Sequence, residues 1–156
     1  MNRLRNRGLD VIGLDNFNSH LYEPQLKRDR VKNFDLKVYN CDLRDDIKLE
    51  GLLRDFYPDT IVHLAAMAGV RDSLGKEKSY HANNIDATQN LIDICKKHLP
   101  DGRIGYASTS CVYARSPAPW VEGKETGKQL NAYGYTKWAN ECQMQSSGLN
   151  TTGLRF

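Results

Sequence analysis

Five short strand-like runs, rich in apolar and β-branched residues, constrain the fold of this 156-residue chain more than any other feature. Each run is only five to seven residues long. Apolar runs of this length are typical of strands that are buried on both faces of a parallel sheet. We therefore predict five strands, over residues 10–15, 36–40, 60–66, 103–108 and 151–156.

Segments with helical periodicity lie between these runs, and we predict helices over residues 23–33, 47–57, 84–99 and 132–144. Strands that alternate with helices through short connections predict right-handed crossovers and a doubly wound parallel α/β fold in one domain. Residues 114–130 contain two prolines and two glycines and indicate a long surface loop. Loops of that length in a compact domain are usually functional.

Composition argues against several classes of function. The formal charge is +3, and no basic stripe with interleaved aromatic residues suggests nucleic-acid binding. No stretch is apolar enough to span a membrane, and no apolar region of a signal peptide follows the early arginines, so we expect a cytoplasmic protein. The four histidines lack metal-ligand spacing, and the four cysteines lie far apart. We expect reduced thiols and no metal site.

Asp15 closes the first predicted strand. In a dinucleotide-binding α/β domain, an acid at this point accepts hydrogen bonds from the adenosine ribose and favours NAD over NADP. It follows the Gly-rich phosphate-binding turn by about 20 residues, whereas only fourteen residues precede Asp15, with Gly8 as the one glycine ahead of the strand. We therefore expect the first, central strand and its turn to lie before Met1. The two neighbouring strands, at 10–15 and 60–66, would then have unpaired edges or pair with each other or with another chain.

Tyr133 and Lys137 are four residues apart, so they share one face of the predicted fourth helix. A nearby ammonium lowers the pKa of a tyrosine and favours a tyrosinate base that can take a proton from a sugar hydroxyl. Three hydroxyl residues, Ser108, Thr109 and Ser110, end the fourth strand. For Ser108 and Ser110, capping of the strand end is an equally good interpretation. A Tyr-x-x-x-Lys pair is weak evidence unless its context supports it.

Two buried polar positions also have structural interpretations. His63 lies inside an apolar run, where a core imidazole that is hydrogen-bonded to a partner is the favoured interpretation. Asn84 stands at the start of the predicted third helix, where it could act as the N-cap.

Taken in chain order, these segments closely resemble the extended short-chain dehydrogenase/reductase family. Within it the chain is most similar to NAD-dependent nucleotide-sugar 4-epimerases, especially those that act on UDP-glucuronate or UDP-galacturonate. The resemblance implies a partial Rossmann-like NAD-binding domain over residues 1–156, in a protein about twice this length with a separate C-terminal substrate domain. It runs over essentially the whole chain and is carried by residues 13–18, 41–43, 63–71, 108–113 and 133–141, together with Tyr80-x-x-x-Asn84.

The resemblance also implies roles for individual residues. Tyr133 matches the catalytic base, Lys137 the residue that holds the nicotinamide ribose, and Thr109 the residue that hydrogen-bonds the reacting sugar oxygen. The implied NAD contacts are Asp15, Asn16, Asp42, Leu43, Leu64, Ala65, Ala66, Asn84, Ser108, Tyr133 and Lys137. A homodimer through helices 84–99 and 132–144 is implied in the same way.

The residues after Thr109 bear on the type of reaction. Relatives that dehydrate or decarboxylate the sugar usually carry an acid there, because the leaving hydroxyl must be protonated. Here Ser110 and Cys111 follow Thr109. We therefore favour 4-epimerisation of a UDP-sugar through a 4-keto intermediate. The alternatives are a nucleotide-sugar dehydratase, an inactive remnant that holds neither ligand, and a regulator that binds a nucleotide without turnover.

Overall fold

A computed structural model describes residues 2–32, 36–124 and 127–156. All strand pairs in it are parallel, and they form two sheets of order β1-β2 and β3-β4-β5. The strands are β1 (Gly13–Asp15), β2 (Val38–Asn40), β3 (Thr60–His63), β4 (Arg103–Ser108) and β5 (Asn150–Arg155). The helices are α1 (Asn2–Arg5), α2 (Pro24–Lys32), α3 (Asp46–Phe56), α4 (Glu77–Tyr80), α5 (Ala87–His98) and α6 (Ala132–Ser146).

The division of the sheet confirms the expected separation of β1 from β3. Among the described residues, β1 pairs only with β2, and β3 pairs only with β4. On β3 and just beyond it, Val62 is 58% exposed and Leu64 is 65% exposed. Apolar side chains of a parallel sheet are normally covered on both faces, so β3 has an uncovered face. Its edge opposite β4 is also open among the described residues.

One hydrophobic core nevertheless joins the two sheets. Cys41, after β2, belongs to the same cluster as Ile104 of β4, and Leu14 of β1 packs against it. Helices α3 and α5 supply most of the other members. The start of α3 is fixed by Asp45, whose side chain accepts a hydrogen bond from the Lys48 amide at 3.1 Å, a typical N-cap contact. The fold is therefore one packed body with a divided sheet.

The predicted order of strands and helices is confirmed, but some bounds and packing differ. The first three strands are shorter than predicted, and α2 buries no residue. The third predicted helix begins earlier, at Glu77, and passes through a π-helix at His81–Asp86 before α5. Asn84 therefore lies inside a helical run and is not its N-cap. Hydrophobic periodicity missed this because it counts 3.6 residues per turn, whereas a π-helix is wider.

Candidate active site

The predicted site residues follow the carboxyl ends of parallel strands. Asp15 ends β1, Asp42 comes shortly after β2, and Thr109 directly follows β4. Because parallel strands point the same way, these residues lie along one edge of the fold. In open α/β sheets, ligands bind outside this edge.

Helix α6 presents the Tyr-x-x-x-Lys pair at this edge. Asn131 caps the helix, and its side chain accepts a hydrogen bond from the Gly134 amide at 2.8 Å. A Cβ on Gly134 would lie 3.1 Å from Gln129 Oε1 and 3.4 Å from Cys111 Cβ. The glycine thus lets the first turn of α6 lie close against the segment that follows β4. Tyr133 is half-buried, and Lys137 is only 4% exposed.

Lys137 is a buried cation that pairs with no group in the described part of the chain. Burial lowers its pKa from the ordinary value of 10.5 to about 8. No carboxylate or hydrogen-bond acceptor within residues 2–32, 36–124 and 127–156 is bound to the ammonium, whose Nζ atom keeps some contact with solvent. Because buried charges are normally paired, this position suits a ligand that brings its own hydroxyl or other acceptor oxygens.

His63 lies near Lys137, and its interpretation as a core histidine with a partner is confirmed. Its Nε2 atom is 3.0 Å from Thr88 Oγ1, and the residue is 6% exposed. Burial, and to a smaller extent the charge of Lys137, lower the pKa of His63 to about 4. The imidazole is therefore neutral at pH 7 and adds no second charge beside Lys137.

The pKa of Tyr133 differs from the sequence-based expectation. Burial raises it above the ordinary value of 10, the nearby Thr109 side chain lowers it, and Cys111 has a smaller raising effect. Lys137 is not among the causes, so the expected lowering by Lys137 is wrong for the chain by itself. The physical reason is that loss of water around the phenolate outweighs the favourable contact with Thr109.

Thr109 and Ser108 are both buried where β4 ends, but they face different partners. Thr109 begins a 3-10 helix at Ser110–Tyr113, and its hydroxyl accepts a hydrogen bond from the Cys111 amide at 3.3 Å. The Ser108 hydroxyl donates to the carboxylate of Glu141 on α6. Thr109 thus lies beside Tyr133, whereas the Ser108 side chain is engaged within the protein.

Asn84 is completely buried, and its side-chain amide is engaged by protein groups. Its Oδ1 atom accepts from the Met67 amide at 2.7 Å. Its Nδ2 group donates to the Met67 carbonyl at 3.0 Å and to Thr136 Oγ1 at 2.9 Å. Asn140 of α6 donates to the Asn84 carbonyl at 2.8 Å. Asn84 therefore joins the segment after β3 to the helix that carries Tyr133 and Lys137.

A cleft of about 690 Å³ opens beside the ends of β1 and β2, and Asn16, Asp42 and Met67 are among the residues that line it. Asn16 donates to Asp42 at 2.9 Å, and Arg44 donates to both oxygens of Asp42 at 2.8 and 2.7 Å. The hydrogen bond from Arg44 is the main reason that the pKa of Asp42 lies far below its usual range. Asp15 is exposed, and its carboxylate accepts from the Phe17 amide at 2.7 Å.

The remaining predicted cofactor residues are backbone positions near the same edge. Leu64 and Ala65 are exposed, and Ala66 is half-buried, directly after β3. Leu43 packs against the core, and its carbonyl accepts from Asn90 of α5 at 2.5 Å. These residues are placed where a ligand along the strand ends would pass, and their contacts with a cofactor stay predictions.

Tyr80 lies between His20, which lines the cleft, and Tyr133, and sequence reasoning gave it no role. Its ring meets that of His20 edge-on, with centroids 5.7 Å apart, and that of Tyr133 edge-on at 6.5 Å. Its hydroxyl donates to the carbonyls of Ala68 at 2.7 Å and Gly69 at 3.0 Å. Burial is the main cause that raises the pKa of Tyr80 to about 12, so Tyr80 does not compete with Tyr133 as a base.

Comparison with known proteins agrees with this geometry. The family model "NAD dependent epimerase/dehydratase family" matches residues 1–156. The chain belongs to this family. It is 41% identical over 162 residues to UDP-glucuronate 4-epimerase 1 of Arabidopsis thaliana, a match that covers 98% of this chain and 37% of the relative.

Two solved epimerase structures are similar to the whole of this chain. The UDP-glucuronic acid 4-epimerase from Bacillus cereus, in complex with UDP-glucuronic acid and NAD, is 31% identical with a TM-score of 0.80, covering 97% of this chain and 49% of that one. The UDP-glucose 4-epimerase from Bifidobacterium longum, in complex with NAD+ and UDP, is 28% identical with a TM-score of 0.81, covering 98% and 47%. The chain thus spans between about a third and a half of the length of these relatives.

Membrane insertion finds no support in the described helices, since none combines the length and apolar character that crossing a bilayer requires.

Proposed function

We propose that this protein takes part in the NAD-dependent 4-epimerisation of a UDP-sugar of the UDP-glucuronate, UDP-galacturonate or UDP-glucose type. The observation that carries the proposal is the uncompensated ammonium of Lys137, buried one helical turn from Tyr133. A cation in this position favours a ligand with hydroxyl oxygens, as the ribose of a dinucleotide has. The similarity to epimerases whose structures contain NAD and a uridine nucleotide supports the same conclusion.

In this proposal Lys137 holds the nicotinamide ribose, and the exposed carboxylate of Asp15 receives the adenosine ribose hydroxyls. NAD, when bound, would supply the hydride acceptor and donor for the sugar C4 atom. Tyr133, in its tyrosinate form, accepts the proton of the C4 hydroxyl at its Oη atom and later gives it back. Thr109, buried beside Tyr133, hydrogen-bonds the reacting oxygen. The net redox change of the sugar is zero.

Epimerisation is favoured over dehydration because the buried carboxylate of Glu141 is already engaged by protein groups. Dehydration requires an acid that protonates the leaving hydroxyl. Glu141 is 6% exposed and lies close to the end of β4, but it is paired with Arg155 and accepts a hydrogen bond from Ser108. It is therefore engaged within the protein and is not available as that acid.

We further propose a homodimer through helices 84–99 and 132–144. Helices α5 and α6 lie side by side, and Gln143 of α6 donates to Gln89 at 3.0 Å. On α6, Tyr135 and Cys142 are exposed, and Tyr135 is 49% accessible. Light scattering coupled to size exclusion should give the mass of two chains, and Tyr135→Glu should give the mass of one. A chain that is monomeric without any substitution would contradict this part of the proposal.

Calorimetric titration of the chain with NAD, together with a nuclear magnetic resonance assay of UDP-glucuronate conversion, tests the proposed activity. Tyr133→Phe should abolish turnover and leave NAD binding intact, because the phenol acts on the sugar. Lys137→Met should abolish NAD binding, whereas Lys97→Met, a change at an exposed lysine paired with Glu50, should not.

The outcomes of these measurements separate the candidate functions. Binding of NAD without any turnover would favour the nucleotide-binding regulator. A chain that binds neither NAD nor the nucleotide sugar would favour the inactive remnant, for which the divided sheet is the supporting observation.

A further inference from the structure

Glu141 is a buried carboxylate next to the candidate catalytic residues, and the proposed reaction gives it no part. It lies eight residues after Tyr133 and four after Lys137, so the three side chains follow one face of α6. Burial of a carboxylate is unfavourable unless the group is both paired and hydrogen-bonded. The contacts that compensate Glu141 therefore indicate what the residue holds in place.

These contacts tie α6 to the ends of two strands. Arg155, at the end of β5, donates from Nε to Glu141 Oε1 at 2.9 Å and from Nη2 to Oε2 at 2.7 Å. The hydroxyl of Ser108, the last residue of β4, donates to Glu141 Oε1. A bidentate arginine–carboxylate pair has a fixed geometry. Glu141 thus sets where the end of β4 lies relative to α6.

Arg155 extends the same network to the other side of Thr109. Its Nη1 atom donates to the Tyr113 hydroxyl at 2.9 Å, and its guanidinium lies 4.8 Å from the centroid of the Tyr113 ring. Tyr113 ends the short 3-10 helix that Thr109 caps. Thr109 is therefore held between two residues of the network. Ser108 precedes it, and Tyr113 ends the short helix that follows it.

We propose that Glu141 is a positioning residue which, through Ser108 and Arg155, holds the Thr109 side chain beside Tyr133. Glu141 acts through these residues and is not itself in contact with substrate. The consequence for catalysis rests on the proposed function, in which Tyr133 is the base.

The pKa of Tyr133 reports the position of Thr109 directly. Burial raises this pKa, the nearby Thr109 side chain lowers it, and Cys111 has a smaller raising effect. The Tyr80 ring also faces Tyr133, and its hydroxyl stays neutral because its own pKa is about 12. Displacement of the Thr109 hydroxyl from Tyr133 should raise the pKa of Tyr133 by about 0.5 to 1 unit, given the usual net strength of one polar contact of this kind.

The test is a titration of the chain labelled with 13C at the tyrosine Cζ atoms, followed by nuclear magnetic resonance, with Tyr133→Phe used for assignment. Glu141→Gln keeps the side-chain length and removes the charge that pairs with Arg155, and it should raise the Tyr133 midpoint by that amount. Glu50→Gln is the matched control. Glu50 also contacts two basic side chains, Lys97 and His98, but on the outer helices α3 and α5, so its removal should leave the midpoint unchanged.

A Glu141→Gln protein that is less stable but titrates at the wild-type pH would overturn the proposal, because the network would then be only structural. Should that variant not fold, Ser108→Ala decides in its place. It keeps the Glu141–Arg155 pair and removes only the link to β4, and an unchanged midpoint would again contradict the proposal.

The titration needs neither NAD nor turnover, so its outcome is separate from that of the proposed epimerisation. If the parent protein does epimerise, the acidic limb of its pH profile should move up by the same amount in Glu141→Gln. The KM for the nucleotide sugar should stay within about twofold, since the displaced Thr109 contact acts on the base and not on substrate binding.

Discussion

At the scale of the residue, the site combines groups that burial has shifted toward their neutral forms. Lys137 loses part of its preference for the charged form, and His63 is kept neutral. Tyr133 and Tyr80 are both shifted toward the neutral phenol. Loss of water around each group is the common cause and the largest one. A charge brought in by a ligand would therefore act strongly here, because little water is present to screen it.

The charge of Lys137 should cost the folded chain stability at neutral pH. Its folded pKa of about 8 lies below the ordinary value of 10.5, so the cost is fully present below pH 8 and disappears as the pH rises toward 10.5. The size is about 3 kcal/mol at roughly 1.4 kcal/mol per pKa unit. Lys137→Met should thus raise the free energy of unfolding in urea at pH 7, by about 1 to 3 kcal/mol.

The same comparison at pH 10 should show a much smaller difference between Lys137→Met and the parent chain. Lys97→Met, at a lysine side chain that is 66% exposed, serves as the control and should change stability little at either pH. An equal gain for Lys137→Met at both pH values would show that packing, and not charge burial, is responsible.

At the scale of the element, the close approach of α6 and the inner strands depends on a few side chains of exact size. Asn84 joins the segment after β3 to α6, and Glu141 joins α6 to β4 and β5. Between β4 and β5, the Tyr106 ring lies over Gly153, its partner in the sheet register. Each of these contacts leaves little room for substitution, because interiors are close-packed.

Asn84→Asp should be strongly destabilising although it barely changes the shape of the side chain. Aspartate cannot donate to the Met67 carbonyl or to Thr136, and it places a carboxylate against a carbonyl oxygen. We expect a loss of about 3 kcal/mol or more in unfolding free energy. The adjacent Asn83→Asp removes one exposed hydrogen bond to the Ser79 carbonyl and should cost less than about 1 kcal/mol. Chemical denaturation of both variants measures the difference, and similar losses would contradict the assigned role of Asn84.

Gly153→Ala should destabilise the β4–β5 pair. The added Cβ would lie 2.6 Å from the Cζ and Oη atoms of Tyr106, which is 7% exposed and has little space to move. Overpacking of this kind typically costs about 1 to 3 kcal/mol. Gly105→Ala is the matched control in the neighbouring strand, since a Cβ there meets nothing within 4 Å. Thermal unfolding should separate the two variants, and equal melting temperatures would refute the crowding at Gly153.

At the scale of the whole molecule, two sheets share one core, although β1 of one sheet and β3 of the other do not pair with each other. Helices α3 and α5 supply most of the residues of this core. The uncovered edge at β3 carries Val62 and, just beyond it, Leu64, both more than half exposed. Exposed strand edges with apolar side chains are templates for pairing with another chain. The chain in isolation should therefore associate more readily than a protein with a continuous sheet.

Val62→Lys should reduce concentration-dependent association of the chain beyond the proposed dimer, because a charged side chain on an edge strand disfavours pairing. Sedimentation velocity over a range of concentrations measures the effect. Ile47→Lys is the control, since Ile47 is 83% exposed on α3, away from the sheet edges. Association that is unaffected by Val62→Lys, or reduced equally by Ile47→Lys, would exclude the β3 edge as the contact.

The sequence by itself determined the order of strands and helices, the shared helix face of Tyr133 and Lys137, the family, and the separation of β1 from β3. These follow from local periodicity, from fixed spacings and from a motif order that can be read along the chain. Only the tertiary structure decided the direction of the Tyr133 pKa shift, the engagement of the Asn84 amide, and the meeting of Ser108, Glu141 and Arg155. Desolvation and long-range hydrogen bonds depend on which distant segments pack together, and no local pattern encodes that packing.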